Sequence, residues 1–88
     1  MSEITGEQTI TFSITDEKER QMHKIFLDVY NALQEKGYNP VVQIAGYMLT
    51  EDPTYITNHN NARSKIRKID RYELINVMIL NYLNYLIG

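Results

Sequence analysis

Three arginines recur at four-residue intervals in the second half of the chain, at Arg63, Arg67 and Arg71. On one continuous helix this spacing would place them in a single row on one face. Each guanidinium can donate two parallel hydrogen bonds to a phosphate or carboxylate, so such a row suits an anionic partner. With Lys68 and His59 we call these residues the basic surface. An ordinary solvated helix face, with ion pairs of about 0–1 kcal/mol each, is the alternative interpretation.

The charge of the chain is unevenly distributed. The 88 residues have a net charge of −2. Residues 63–71 carry five basic side chains and one acidic one, a local charge of +4, whereas residues 1–36 carry four bases and seven acids, a charge of −3. An anionic partner is therefore expected to bind at one place on the protein.

The first 15 residues, which we call the arm, are rich in hydroxyl side chains. Ile10, Phe12 and Ile14 alternate with these hydroxyls, a pattern typical of a short extended segment, and the first eight residues are expected to be mobile. A threonine in this acidic arm would be accessible to a protein kinase, and a phosphate would add about −1.5 to −2 charges. A plain polar tail is the alternative. Together with the arginine row, however, the pattern favours a phosphate-operated switch.

Few residues could support catalysis or metal binding. The chain has no cysteine, and its two histidines, His23 and His59, have no convergent partners in the sequence. The four glycines are scattered and form no phosphate-binding loop. We therefore expect a protein that is not an enzyme and that uses no metal and no cofactor.

The sequence also lacks signals for membrane insertion or export. Its longest apolar run is Val77–Leu80, far short of the roughly 20 residues that span a bilayer. Its beginning is acidic and has neither the basic nor the apolar region of a signal peptide. The expected location is the cytoplasm, with no membrane contact.

Helix end signals divide the rest of the chain. A first helix is predicted from an N-cap at Asp16, which Glu19 would complete as a capping box, to Lys36 and Gly37. A second helix should begin at Asn39 and Pro40. Three further elements are predicted: a short helical turn over residues 53–57 after Asp52, a turn at residues 58–61, and a third substantial helix from about Asn60 through Ile69.

The last helix is apolar nearly all the way round. It would begin near Asp70, where a second capping box with Glu73 marks a break or a change of direction. A helix of this composition must be buried on several sides, and a chain of 88 residues has few elements to cover it. A homodimer packed through this helix is the simplest solution.

These patterns predict an all-α fold. We expect a small bundle of four to five helices with a short extended or mobile N-terminal arm, assembled as an intertwined homodimer. The predicted organisation is a regulatory arm at residues 1–15 followed by a single helical domain at residues 16–88.

A small DNA-binding regulator is the alternative function. The stretch from Gln43 to Tyr47, followed by a turn and a basic helix, is loosely similar to a helix-turn-helix, and the local positive charge would suit a phosphate backbone. The negative net charge and the Asp52–Pro53 turn argue against it, so the favoured prediction involves no nucleic acid.

A specific set of motifs extends over about residues 7–83. They are Glu35-Lys36-Gly37-Tyr38-Asn39-Pro40, then Gln43-Ile44, Gly46-Tyr47, Asp52-Pro53, Tyr55-Ile56, His59, Ala62-Arg63, Ile66-Arg67-Lys68, Arg71 and Glu73-Leu74-Ile75. In this combination the chain closely resembles the IreB/ReoM family of small cytoplasmic regulators of low-GC Gram-positive bacteria.

The resemblance implies a helical homodimer that is phosphorylated on threonine by a membrane Ser/Thr kinase with extracellular PASTA repeats and dephosphorylated by its phosphatase. It further implies control of peptidoglycan synthesis and of resistance to cell-wall antibiotics. In one branch of the family, the protein promotes Clp-dependent degradation of the enzyme of the first committed step, and phosphorylation relieves that action.

Carried over by residue, the resemblance places the phosphorylated threonine at Thr9. A second acceptor of one branch falls on Gly6, and the neighbouring Thr5 could substitute for it. The family's arginines match Arg63, Arg67 and Arg71, but a further common arginine is Asn58 here.

Overall fold

A computed structural model describes residues 14–88. Within this range the fold is all-helical, as predicted, and contains no strand. Its four α-helices are α1 (Asp16–Glu35), α2 (Pro40–Thr50), α3 (Ala62–Ile66) and α4 (Arg71–Ile87). Two short 3-10 helices, Pro53–Tyr55 and His59–Asn61, connect α2 to α3. The predicted extended segment lies outside the described residues, except for its last two residues.

The helix ends agree with the sequence at most positions. Asn39 caps α2 with Pro40 in the first turn, and Asp70 caps α4 by accepting from the amides of Tyr72 and Glu73. Gly37, just after α1, has φ of 83° and so occupies the left-handed region that glycine tolerates best. These confirmed predictions all concern residues that act within one helical turn of their own position.

Two helix predictions were wrong. The N-cap of α1 is Thr15, whose hydroxyl accepts from the amide of Lys18 at 3.2 Å, so Asp16 lies in the first turn. The third helix is only five residues long instead of extending from Asn60 through Ile69. Asn60 and Asn61 both have left-handed backbone angles, which a short amide side chain tolerates, and α3 cannot start before them.

The main core lies where α1, α2 and α3 meet the chain that joins them. It consists of Val29, Ala32, Leu33, Ile44, Tyr47, Ile56, Ala62 and Ile66. A smaller second cluster, Met22, Leu74 and Val77, fastens the start of α4 to α1, with Ile14 and Ile69 packed against it. Burial of these side chains is what holds the helices together, since it removes apolar surface from water.

Helix α4 is only partly covered by its own chain. Leu74 and Val77 are its buried residues, whereas its second half presents exposed apolar side chains. They include Ile79, Tyr82, Tyr85, Leu86 and Ile87, each at least half exposed. No helix within residues 14–88 has the length and apolar character needed to cross a membrane.

Candidate functional site

The three arginines of the basic surface do not lie on one helix. Helix α3 ends at Ile66, the chain turns through residues 67–70, and α4 starts at Arg71. Because Asp70 caps a new helix at this point, the continuous helix that a single arginine row requires does not exist. The three side chains therefore have different surroundings.

Arg63 is partly committed to the fold. Its Nε–H donates to the carbonyl oxygen of Ile56 at 2.8 Å, and Ile56 is fully buried. This bond ties α3 back to the chain that leads into it. A buried carbonyl without a partner would cost about 1–3 kcal/mol, so the contact stabilises the loop.

Arg71 holds α2 and α4 together. One Nη donates to the carbonyl oxygen of Met48 and the other to the carboxylate of Glu51. Met48 lies in the last turn of α2, where carbonyl groups have no partner within the helix. The cation thus binds the negative end of α2 and joins it to the start of α4. Its positive charge is therefore largely neutralised by other groups of the protein.

His59 also makes an internal contact. Its Nε2 lies 2.7 Å from Glu35 Oε1, at the end of α1, and the amide of Asn60 donates to the same oxygen at 3.4 Å. The turn before α3 is held against α1 in this way. His23, by contrast, is exposed.

Arg67 and Lys68 are the outward-facing members of the basic surface. Both are exposed, and neither side chain makes a hydrogen bond or ion pair within the part of the chain that the structure describes. Since no neighbour neutralises them there, these two cations are the ones available to an anionic partner.

A basic cluster that sequence spacing alone does not reveal joins α1 to α3. Asp28 Oδ2 accepts from Lys65 Nζ and from Lys24 Nζ, each at 3.2 Å. The hydrogen bond from Lys65, followed by that from Lys24, holds the pKa of the Asp28 carboxyl below its ordinary value. The spacing of Lys24 and Asp28 is visible in the sequence, but the approach of Lys65 across 37 positions is not.

A cavity of about 390 Å³ lies beside this cluster, between α1 and the turn that connects α3 to α4. Lys18, Lys24 and Lys68 stand around it, and Met22, Ile25 and Ile69 form its apolar part. A second groove of about 360 Å³ runs between α1 and α4 and is mostly apolar, with Phe26, Leu27 and Met78 among its residues.

The candidate phosphorylation sites Thr9 and Thr5 lie outside the described residues. In the described part, no three histidine or acidic side chains are grouped so that they could hold a metal ion. The helix that a DNA-binding protein would insert into the major groove corresponds to α3. At five residues it is about 7.5 Å long, a poor reader of base edges.

Comparison with known proteins adds an independent observation. The model of a family described as IreB regulatory phosphoprotein matches residues 7–84, a range that includes Thr9 and the whole basic surface. A UPF0297 protein of Acetivibrio thermocellus is 47% identical over 85 residues, which cover 97% of this chain and 94% of that protein.

Proposed function

The chain belongs to the IreB regulatory phosphoprotein family, and from this premise we propose that it is a non-enzymatic adaptor whose binding to a protein partner is switched by threonine phosphorylation. The observation that carries the proposal is the pair of exposed cations, Arg67 and Lys68, at the break between α3 and α4. In this proposal the two side chains form a small binding surface, which we place at the turn between α3 and α4.

The partner is expected to present carboxylates to this surface. Arg67 offers a planar fork that can bind one carboxylate with two hydrogen bonds, whereas Lys68 offers a compact point charge. Arg63, Arg71 and His59 contribute by fixing the backbone from which Arg67 and Lys68 project. In this proposal Arg67 and Lys68 bind the partner, whereas Arg63, Arg71 and His59 hold the backbone in position.

The phosphate acceptor in the proposal is Thr9, with Thr5 as the secondary candidate. The kinase would be a PASTA-type Ser/Thr kinase, opposed by its phosphatase. The regulated process would be peptidoglycan synthesis and hence resistance to cell-wall antibiotics. One route is Clp-dependent degradation of the enzyme of the first committed step, promoted by the unphosphorylated protein and relieved by phosphorylation.

The proposal includes a homodimer formed through α4. Leu27 on α1 and Met78 on α4 are both exposed, and both line the apolar groove between the two helices. Contiguous apolar surface of this kind is rarely left in water by a monomer. A second copy would cover it with the same surface, as a two-fold axis requires.

The phosphorylation step is tested by incubating the protein with a PASTA-type kinase and ATP and mapping the product by mass spectrometry. One added phosphate on Thr9, absent in Thr9→Ala, is the expected result. No phosphate, or phosphate scattered over other hydroxyls, would contradict the switch.

The binding step is tested with the proposed cell-wall enzyme as partner. Arg67→Gln should weaken binding of the unphosphorylated protein at least tenfold, whereas Lys36→Gln, an exposed cation at the end of α1, should not. Equal affinity before and after phosphorylation, or equal effects of the two substitutions, would refute the adaptor mechanism.

The dimer is tested by light scattering on a sizing column. Met78→Glu, in the apolar groove between α1 and α4, should give a monomer, whereas Tyr38→Glu, a half-exposed position in the loop before α2, should leave a dimer intact. A monomeric parent protein would rule the dimer out.

A further inference from the structure

The cavity between α1 and the α3–α4 turn differs from the apolar groove in its charge. Five titratable side chains face it, namely Lys18, Lys24, Lys68, Asp70 and Glu73. Their sum is +1, with the apolar side chains of Met22, Ile25 and Ile69 between them. A small anionic group attached to an apolar segment matches both features.

The five charges are not equally available. Lys18 Nζ pairs with Glu73 at 2.9 Å, and Lys24 Nζ pairs with Asp28 at 3.2 Å. Asp70 uses one oxygen as the cap of α4. Lys68 has no charged partner among residues 14–88. Because Lys18 is more than half exposed, it can exchange its carboxylate for a stronger anion at little cost.

The arm of the same chain enters the domain beside this cavity. Ile14 packs against the cluster that contains Met22, and Ile69 packs there too; Met22 and Ile69 both line the cavity. Thr9 is five residues before Ile14, so a fully extended chain could carry its hydroxyl about 17 Å from that anchor. The reach exceeds the width of a cavity of 390 Å³.

The composition of the arm suits the cavity. Residues 1–13 contain Glu3 and Glu7 and no lysine or arginine, with Ile10 and Phe12 as apolar side chains next to Thr9. A phosphate on Thr9 would add about −1.5 to −2 charges to a segment that is already acidic. Lys68 would then face a dianion in place of water, and Lys18 would face it in place of the Glu73 carboxylate.

We propose that this cavity is the intramolecular receptor for the phosphorylated arm, with the phosphate on Thr9 bound by Lys68 and Lys18. The inference rests on the proposed function for the identity of the modified residue. It deepens that function because Lys68 also belongs to the binding surface. A phosphate held by Lys68 takes this cation away from an anionic partner, so the arm would compete with the partner for the same amine.

The test uses the full chain with phosphothreonine placed at position 9 by genetic-code expansion, so that no kinase is needed. The readout is the phosphorus NMR shift of the phosphate during a pH titration. Nearby ammonium groups stabilise the dianion, so the phosphate pKa should fall from about 6 to about 5.5 or lower. A synthetic phosphopeptide of residues 1–15 supplies the reference value.

Variants locate the receptor. The double substitution Lys18→Gln and Lys68→Gln should return the phosphate pKa to the peptide value, whereas Lys36→Gln should leave it lowered. Both test lysines are exposed or paired only at the surface, so the double variant should keep the helical circular dichroism of the parent.

Three outcomes would overturn the inference. The first is a phosphate pKa in the full chain equal to that of the peptide. The second is a lowered pKa that Arg67→Gln abolishes and the lysine variant does not, which would place the phosphate on the arginine. The third is a lowered pKa that disappears on dilution, which would make the receptor another copy. Failure of the kinase to modify Thr9 would instead count against the proposed function, because this experiment bypasses the kinase.

Discussion

The different surroundings of Arg67 and Arg71 lead to a direct test of their roles. Arg71→Met removes the charge and every donor but keeps a long aliphatic stem, and Arg67→Met is the matched control. The lost bond from a charged donor to the Met48 carbonyl is worth about 1.5–3 kcal/mol. The ion pair to the mostly exposed Glu51 adds about 0–1 kcal/mol. Arg67 has no partner within the described residues to lose.

We therefore expect Arg71→Met to lower the free energy of unfolding by about 2 kcal/mol and the melting temperature by about 10 °C. Arg67→Met should stay within about 0.5 kcal/mol of the parent protein. Urea unfolding followed by circular dichroism measures both. All samples must have the same protein concentration, because the stability of an oligomer depends on it.

Two results would refute this reasoning. If both substitutions destabilise the protein equally, the bonds that Arg71 makes to α2 do not account for its effect on stability. If Arg71→Met changes the stability by less than about 0.5 kcal/mol, the bonds to α2 contribute nothing net. In the second case Arg71 would join the binding surface as an equal of Arg67.

Three further outcomes are expected. A methyl group at Gly46 would overlap the ring of Tyr55, so Gly46→Ala should destabilise the parent protein. In a Tyr55→Ala background the same change should stabilise the protein by up to about 1 kcal/mol through helix propensity, and a stability change of the same sign in both backgrounds would contradict the contact. The pKa of Asp28 is lowered in the folded state, so the ionised carboxyl stabilises the fold above the ordinary value of 3.8, and this stability is lost as the pH falls through the lowered pKa. Asp28→Asn should therefore lose less stability than the parent protein between about pH 5 and pH 2 in urea titrations, and parallel curves would contradict this. Ile66→Ala empties a fully buried site in the main core and should cost about 2–5 kcal/mol by urea unfolding, with a loss below about 1 kcal/mol counting against the described packing.

Much of the helix layout follows from local sequence. The caps Asn39 and Asp70 act on amides two or three positions away, so the residues that form each interaction are adjacent in the sequence. The same holds for Val29 and Leu33, which are four positions apart and are both buried on one side of α1. The family match likewise followed from residue types and spacing, and its range agrees with the stretch in which the motifs occur.

Local sequence was ambiguous where two residues compete for one role. Thr15 and Asp16 are both good caps, and only the structure shows that Thr15 is used. The turn at Asn60 and Asn61 could have ended before or after these residues, because asparagine is compatible with a helix start as well as with left-handed angles. The predicted third helix began too early for this reason.

The composition of the basic surface was decided by the tertiary structure. Sequence spacing treats Arg63, Arg67 and Arg71 alike, since it contains no information on which distant carbonyl each guanidinium will meet. Folding brings Ile56 to Arg63 and Met48 to Arg71, and leaves Arg67 in solvent. The sequence determined which cations exist. Packing determined which of them are used to hold the protein together, because a buried carbonyl must find a donor wherever the chain brings one within reach.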